Sequence, residues 1–318
     1  MIQIFVASKT SFHSYVNPRK IDLPKINERI WIVLKNPTAA DFDKLKLYNI
    51  HKLTLEDLKS KRTKIKYEEF TTYTYFSQHG LTPTKEGYKE FPIHNVDGSR
   101  FLITVHYNNN DIIDGLILRP DLIKELLIKG VDYILHKLLD RLVDNFVIIK
   151  DKSFIVLENL EKQIFASSSQ KNLMDLFEHE RKILKVKQLA SANEEICIKL
   201  TRTGVKDIRS DLLPYFKDIH DHISKVEESL EYILTQINNL RDNFMAITSN
   251  KINNIMKILT LFTVFLLPLT FVTSYFGMNI NLPLSLSDNM LYANGIIIIS
   301  FIVMLILMWS FFKKKDLI

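Results

Sequence analysis

A chain of 318 residues that is 47% hydrophobic and 25% charged has room for one large or two modest domains. Its near-zero mean hydropathy fits neither a wholly soluble protein nor a polytopic one, and suits a soluble body with a small membrane part. The formal net charge of +6 raises nucleic acid as a partner, but the excess is local, as in Lys313-Lys314-Lys315, and marks a membrane flank instead.

In chain order, residues 1–120 alternate short β-type runs with turn signals and read as an α/β domain. Met1–Val6 is too short an apolar run for a signal peptide. Ile30–Leu34 is a candidate buried strand closed by Asn36-Pro37-Thr38, with Thr38 placed to cap a helix over Asp41–Tyr48. Phe70–Phe76, rich in Thr, Tyr and Phe, reads as another strand. Ile93–Val96 and Arg100–Tyr107 flank Asp97-Gly98-Ser99, whose Asp-Gly pair favours a hairpin turn. Residues 121–210 are helical. Tyr133, Leu135, Leu138, Leu139, Leu142, Val143, Phe146 and Val147 recur at helix spacing in a run extending to Phe165. Ala166–Ser169 is a turn, and a second amphipathic helix covers Lys171 to about Thr201, ended by Gly204. These are two long antiparallel helices.

The next helix, 211–276, organises the chain. It carries an apolar stripe: Phe216, Ile219, Ile223, Val226, Leu230, Ile233, Ile237, Leu240, Phe244 and Ile247. The steps alternate three and four, as in a helix packing along one seam. A second stripe lies about 200° round the helix: Asp242, Ala246, Ser249, Asn253, Met256, Thr260, Thr263, Leu267, Thr270 and Ser274. Small and polar side chains held in register at lipid depth either bond a neighbouring helix or face water. Threonines in membrane helices often merely bond their own carbonyls. Continuity with the stalk favours the pore reading. Two spans cannot enclose a channel, so a pore needs several copies in a ring.

About 60 residues at 1.5 Å each make a rod of roughly 90–95 Å, stalk and membrane span together. No charge follows Lys257 until Asp288, so the span covers about 255–276, with Pro268 inside it. A loop over 277–290 leads to a second span, 291–312, and a basic tail, 313–318. Lys251 and Lys257 before the first span and Lys313–Lys315 after the second place both termini in the cytoplasm.

The eight glycines form no phosphate-binding pattern, so a nucleotide is not an expected partner; the charge pattern argues against nucleic acid, and the chain does not read as an enzyme. The lone cysteine, Cys197, excludes an intrachain disulfide. His220 and His222 beside Asp218 and Asp221 suggest a metal cluster, but residues two apart on a helix point to different faces. A solvated face is the plainer reading.

At Gly277-Met278-Asn279, following an aromatic at the end of the first of two C-terminal spans, the sequence resembles the CorA family of magnesium and cobalt transport channels. Lys257-Ile258-Leu259-Thr260 and Leu267-Pro268-Leu269-Thr270 are similar to that family's first span. Tyr133–Phe146 is similar to its Tyr-Leu-Leu helix, and His51–Glu69 to its Leu-Glu-Asp segment. The resemblance covers almost the whole chain. It implies a homopentameric funnel: an α/β cytoplasmic domain, a long helical stalk continuing into a pore-lining span, and a second span facing lipid, in the inner cell membrane. Gly277, Met278 and Asn279 then form the selectivity filter for hydrated Mg2+, the transported and regulatory ion. Asn253 is the cytoplasmic polar ring and Met256 and Leu259 are the adjacent hydrophobic constriction. Regulatory Mg2+ would sit between subunits at Asp218 and Asp221 of one chain, with Glu86 or Glu90 as the other carboxylate. The alternatives are Co2+ or Ni2+ by the same route, Zn2+ on the same fold, or a non-conducting coiled-coil adaptor anchored in the membrane.

Overall fold

The structure is a computed structural model that describes residues 1–61, 64–85, 87–167, 169–201, 208–278 and 290–314. It divides into two compact units, 1–241 and 242–318.

The first unit is built on a seven-stranded sheet. Its strands are β1 (Ile2–Ala7), β2 (Phe12–Val16), β3 (Arg29–Lys35), β4 (Lys66–Glu69), β5 (Thr74–Pro83), β6 (Tyr88–Gly98) and β7 (Phe101–His106). Their spatial order is β2-β1-β3-β7-β6-β5-β4. Among the described residues only β3 and β7 pair in parallel; the other pairs are antiparallel. Strand β3 reads as an unbroken apolar run because both of its faces are covered. Ile30, Ile32 and Leu34 enter a core with Phe42, Leu45, Tyr48 and Leu58. Those four come from α1 (Ala39–Asp43), a single 3-10 turn (Lys46–Tyr48) and its lead-in, and α2 (Lys52–Lys59). Trp31, on the opposite pleat, is fully buried, and its indole N–H donates to Thr104 Oγ1 at 3.0 Å.

Three expectations need correcting. The run Phe70–Phe76 is not one strand. It holds the turn between β4 and β5, closed by the Phe70 N–H on the Tyr73 carbonyl at 2.9 Å. The aromatics look strand-like because Phe70 and Tyr73 stack on each other across that turn. Asp97-Gly98 does not form the hairpin corner either. Gly98 is still paired, with Phe101, and the corner is Ser99-Arg100. The Phe101 ring occupies the space a Gly98 side chain would need. The helix over Asp41–Tyr48 is broken into α1 and the 3-10 turn, which Asn49 closes in the left-handed region at φ 47°. Thr38 does start α1: the Asp41 carboxylate accepts from both its N–H (2.9 Å) and its hydroxyl (2.9 Å).

The long helices follow. After α3 (Asp111–Ile117) and α4 (Pro120–Lys129), α5 runs Val131–Ala166, α6 Gln170–Leu200 and α7 Leu213–Phe276. Asn110 caps α3 by accepting from the Ile113 N–H, and Pro120 occupies the first turn of α4, where it needs no donor. Ser169 caps α6 through the Asn172 N–H. Gly204 lies outside the described residues. The apolar seam of α7 from Phe216 to Leu240 is buried throughout. It lies on α5 and α6, where Phe216 meets the His136 ring edge-on and Tyr232 meets Phe154. Lys187 and Glu231 pair at its border. Cys197 is buried on α6 and packs as a small apolar residue.

Candidate functional site

The second unit comprises the C-terminal part of α7 and a further helix, α8 (Met290–Lys314). At 1.5 Å per residue, the 19 residues Ile258–Phe276 extend about 28 Å and the 25 residues of α8 about 37 Å, against a hydrocarbon layer of about 30 Å. Soluble proteins bury such surface. Here the most apolar stretch of α7 is uncovered, with Phe262 64% and Phe271 71% exposed.

Exposure is not uniform round α7. Leu261, Val264, Phe265, Pro268, Leu269 and Val272 are half-buried, as are Phe301, Met304, Leu305, Met308 and Phe312 of α8. Phe265 and Phe312 meet with ring centroids 5.7 Å apart, which identifies these as the two facing surfaces. At 100° per residue the polar stripe falls on roughly the opposite side of α7 from that contact. Asp242, Ala246, Ser249, Asn253, Met256, Leu259, Thr260, Thr263, Leu267, Thr270 and Ser274 are exposed. The unit therefore presents two different surfaces, and α8 covers neither the stripe nor its flanks.

The stripe threonines have a local arrangement that spacing does not reveal. The Thr263 hydroxyl donates to Leu259 O at 3.0 Å and the Thr270 hydroxyl to Leu267 O at 2.8 Å. Back-bonding of this kind uses the proton and leaves the oxygen lone pairs unspent. These hydroxyls are thus oriented as acceptors.

At the end of α7, Gly277 N–H donates to Thr273 O at 3.0 Å and Met278 N–H approaches Tyr275 O at 3.4 Å, so the helical path tightens as it ends. Gly277 and Met278 are exposed. Asn279 lies outside the described residues, as does Glu86.

The acidic residues singled out for a regulatory ion are dispersed within one chain. Asp218 and Asp221 are exposed on the stalk; Asp218 is 3.8 Å from His222 and Asp221 is 3.2 Å from His220. Glu90 sits on β6 with its carboxylate already engaged by His79 and by Lys185 at 3.4 Å. Among the described residues no three His, Cys, Asp or Glu side chains converge as a metal site would require. Sequence reading missed a different pair. Glu227 of α7 hydrogen-bonds Glu194 of α6, and that contact, with burial, raises the Glu227 pKa above the ordinary carboxylate value. Glu194 also lies 3.5 Å from His220. Sequence gives no sign of this pairing because the partners come from separate helices.

An α/β body followed by an uncovered apolar helix of bilayer length fits a membrane protein with a large extramembrane domain. Residues 27–314 match the family described as CorA-like Mg2+ transporter protein, and the chain belongs to that family of divalent-cation transporters. It is 24% identical over 277 residues to the cobalt/magnesium transport protein CorA of Thermotoga maritima, covering 84% of this chain and 77% of that one. It is 25% identical over 255 residues to the putative metal ion transporter YfjQ of Bacillus subtilis, 78% of each. Among solved structures, the complete CorA magnesium transporter of Methanocaldococcus jannaschii superposes with a TM-score of 0.86 at 16% identity. The match covers 100% of this chain and 99% of that one, so the whole fold is shared.

Proposed function

We propose that five copies of the chain form a channel for hydrated Mg2+, driven inward by membrane potential. The supporting observation is the uncovered polar stripe on the side of α7 away from α8, which a ring of copies would turn toward a common axis. The chemistry suits this ion. Mg2+ gives up water reluctantly, and a hydrated cation presents its water protons outward. Thr263 and Thr270, with their own protons spent on the backbone, offer oxygen acceptors to such protons. Asn279 carries a neutral amide oxygen and would do the same at the outer mouth. For two charges the driving energy is about 4.6 kcal/mol per 100 mV, so no nucleotide is needed.

Met256 and Leu259 then form the hydrophobic constriction, with Asn253 beside it. Both termini lie in the cytoplasm, flanked by Lys257 and Lys313. Closure by cytoplasmic Mg2+ would act at Asp218 and Asp221 against a carboxylate of a neighbouring copy. Glu90 is a poor candidate for that carboxylate, since a metal ion would have to displace Lys185 and the hydrogen bond to His79. Co2+ is the second cargo reading, favoured by the name of the Thermotoga relative. The test is complementation of a strain lacking its own Mg2+ uptake. Asn279→Ala should abolish growth rescue at low Mg2+ while protein level stays normal. Full rescue by that variant would remove the filter assignment.

A further inference from the structure

The link between β5 and β6, together with the middle of α5 and of α6, bounds a cavity of about 360 Å³ in the first unit. Its inner wall is aliphatic, formed by Ile149, Ile183 and Val186, all almost fully buried. Its border is cationic, with Lys85, Lys152 and Lys182. One carboxylate answers them among the described residues: Glu178, 2.7 Å from Lys182. Lys152 donates only to the Thr84 carbonyl, at 3.3 Å, and Lys85 has no ion pair or hydrogen bond among the described residues.

Between wall and border stands His179, only 7% exposed. Its Nε2 lies 3.1 Å from Ser153 O, so Nε2 carries the proton and Nδ1 is an acceptor. That acceptor has no partner among the described residues, and the Ser153 hydroxyl is itself spent on Ile149 O at 2.8 Å. Among the described residues the ammonium groups on the border outnumber the carboxylates, a charge balance that disfavours a divalent cation as the ligand. A phosphate is disfavoured too, since the helices contribute only their middles, where no backbone N–H is free.

We propose that this cavity binds a small organic monocarboxylate with an apolar body and one hydroxyl. Lys85 and Lys152 hold the carboxylate, the aliphatic wall covers the body, and the hydroxyl donates to His179 Nδ1. The ligand differs from the transported ion in charge and site, so the assignment stands independently of the channel reading.

The test is calorimetric titration of the full chain in lipid nanodiscs with 3-(4-hydroxyphenyl)propionate. Controls are its neutral counterpart 3-(4-hydroxyphenyl)propan-1-ol and empty nanodiscs. The alcohol cannot form the charge-assisted hydrogen bonds of the carboxylate and should bind about tenfold or more weakly. Lys85→Ala combined with Lys152→Ala should weaken the acid similarly and leave the alcohol unchanged. Ile155→Trp, at a border position 60% exposed and so tolerant of bulk, should abolish both. Equal affinity for acid and alcohol, acid binding that survives Ile155→Trp, or no binding of the acid would each overturn the proposal.

Discussion

Replacing Thr263 by valine changes one atom of functional consequence at near-constant shape. The hydroxyl bonds Leu259 O at 3.0 Å within its own turn and otherwise faces away from α8. Its removal leaves the fold nearly unaffected, because a back-bonded hydroxyl adds little to helix stability. In a ring of copies the cost falls on the passing ion, whose water protons meet methyl groups instead of oxygens. A hydrogen bond of this kind is worth about 1 kcal/mol. Removing two such bonds at once raises the barrier by about 2 kcal/mol, which slows the rate about 30-fold. The assay is Mg2+ influx into proteoliposomes at clamped potential, with Thr263→Ser as the variant that restores the oxygen. Wild-type flux in Thr263→Val, with normal melting, would show that Thr263 meets no hydrated ion.

Three further outcomes are expected. Asp218→Lys should raise the internal Mg2+ needed to halve flux, and unchanged inhibition would move the sensor elsewhere. Glu227→Gln should raise the melting temperature at pH 8 and make no difference near pH 4.5. The carboxyl is held protonated in the folded state above its unfolded pKa, so its contribution is complete at low pH and disappears as pH rises; the amide has no proton to give up. An equal shift at both pH values would refute that. His94, fully buried and 3.0 Å from Tyr75 Oη, is pulled by burial from 6.5 to about 4. The unfolded chain therefore takes up its proton first, and stability falls between pH 6.5 and 4, by about 2–3 kcal/mol at pH 4.5. His94→Gln should show a correspondingly smaller drop in melting temperature between pH 7 and 4.5; an identical drop would place the acid sensitivity elsewhere.

What could be read from the chain followed periodicity. The seam from Phe216 to Leu240 and the run from Tyr133 are long enough for a 3.6-residue repeat to declare itself. Strand β3 announced itself because it is covered on both sides. Short-range chemistry was less legible. Phe70 and Tyr73 have strand-type side chains yet stack across a turn, and Gly98, an apparent hairpin corner, is needed because Phe101 lies over it. The Gly130 break between α4 and α5 interrupts an otherwise continuous helical pattern and was missed. At the candidate site the stripe was visible as spacing. The orientation of its hydroxyls, the Glu194–Glu227 contact and the occupied state of Glu90 depend on partners that sequence does not place together.

The measurement that bears most directly on a shared axis is cysteine accessibility in membranes, with Cys197→Ser as background. Thr270→Cys lies on the stripe, while Phe262→Cys lies on the flank between the stripe and the α8 contact. A water-soluble, membrane-impermeant thiol reagent should modify Thr270→Cys and block Mg2+ flux, and leave Phe262→Cys unmodified. Reaction at position 262 with none at 270 would put the polar side of α7 against lipid and contradict the account.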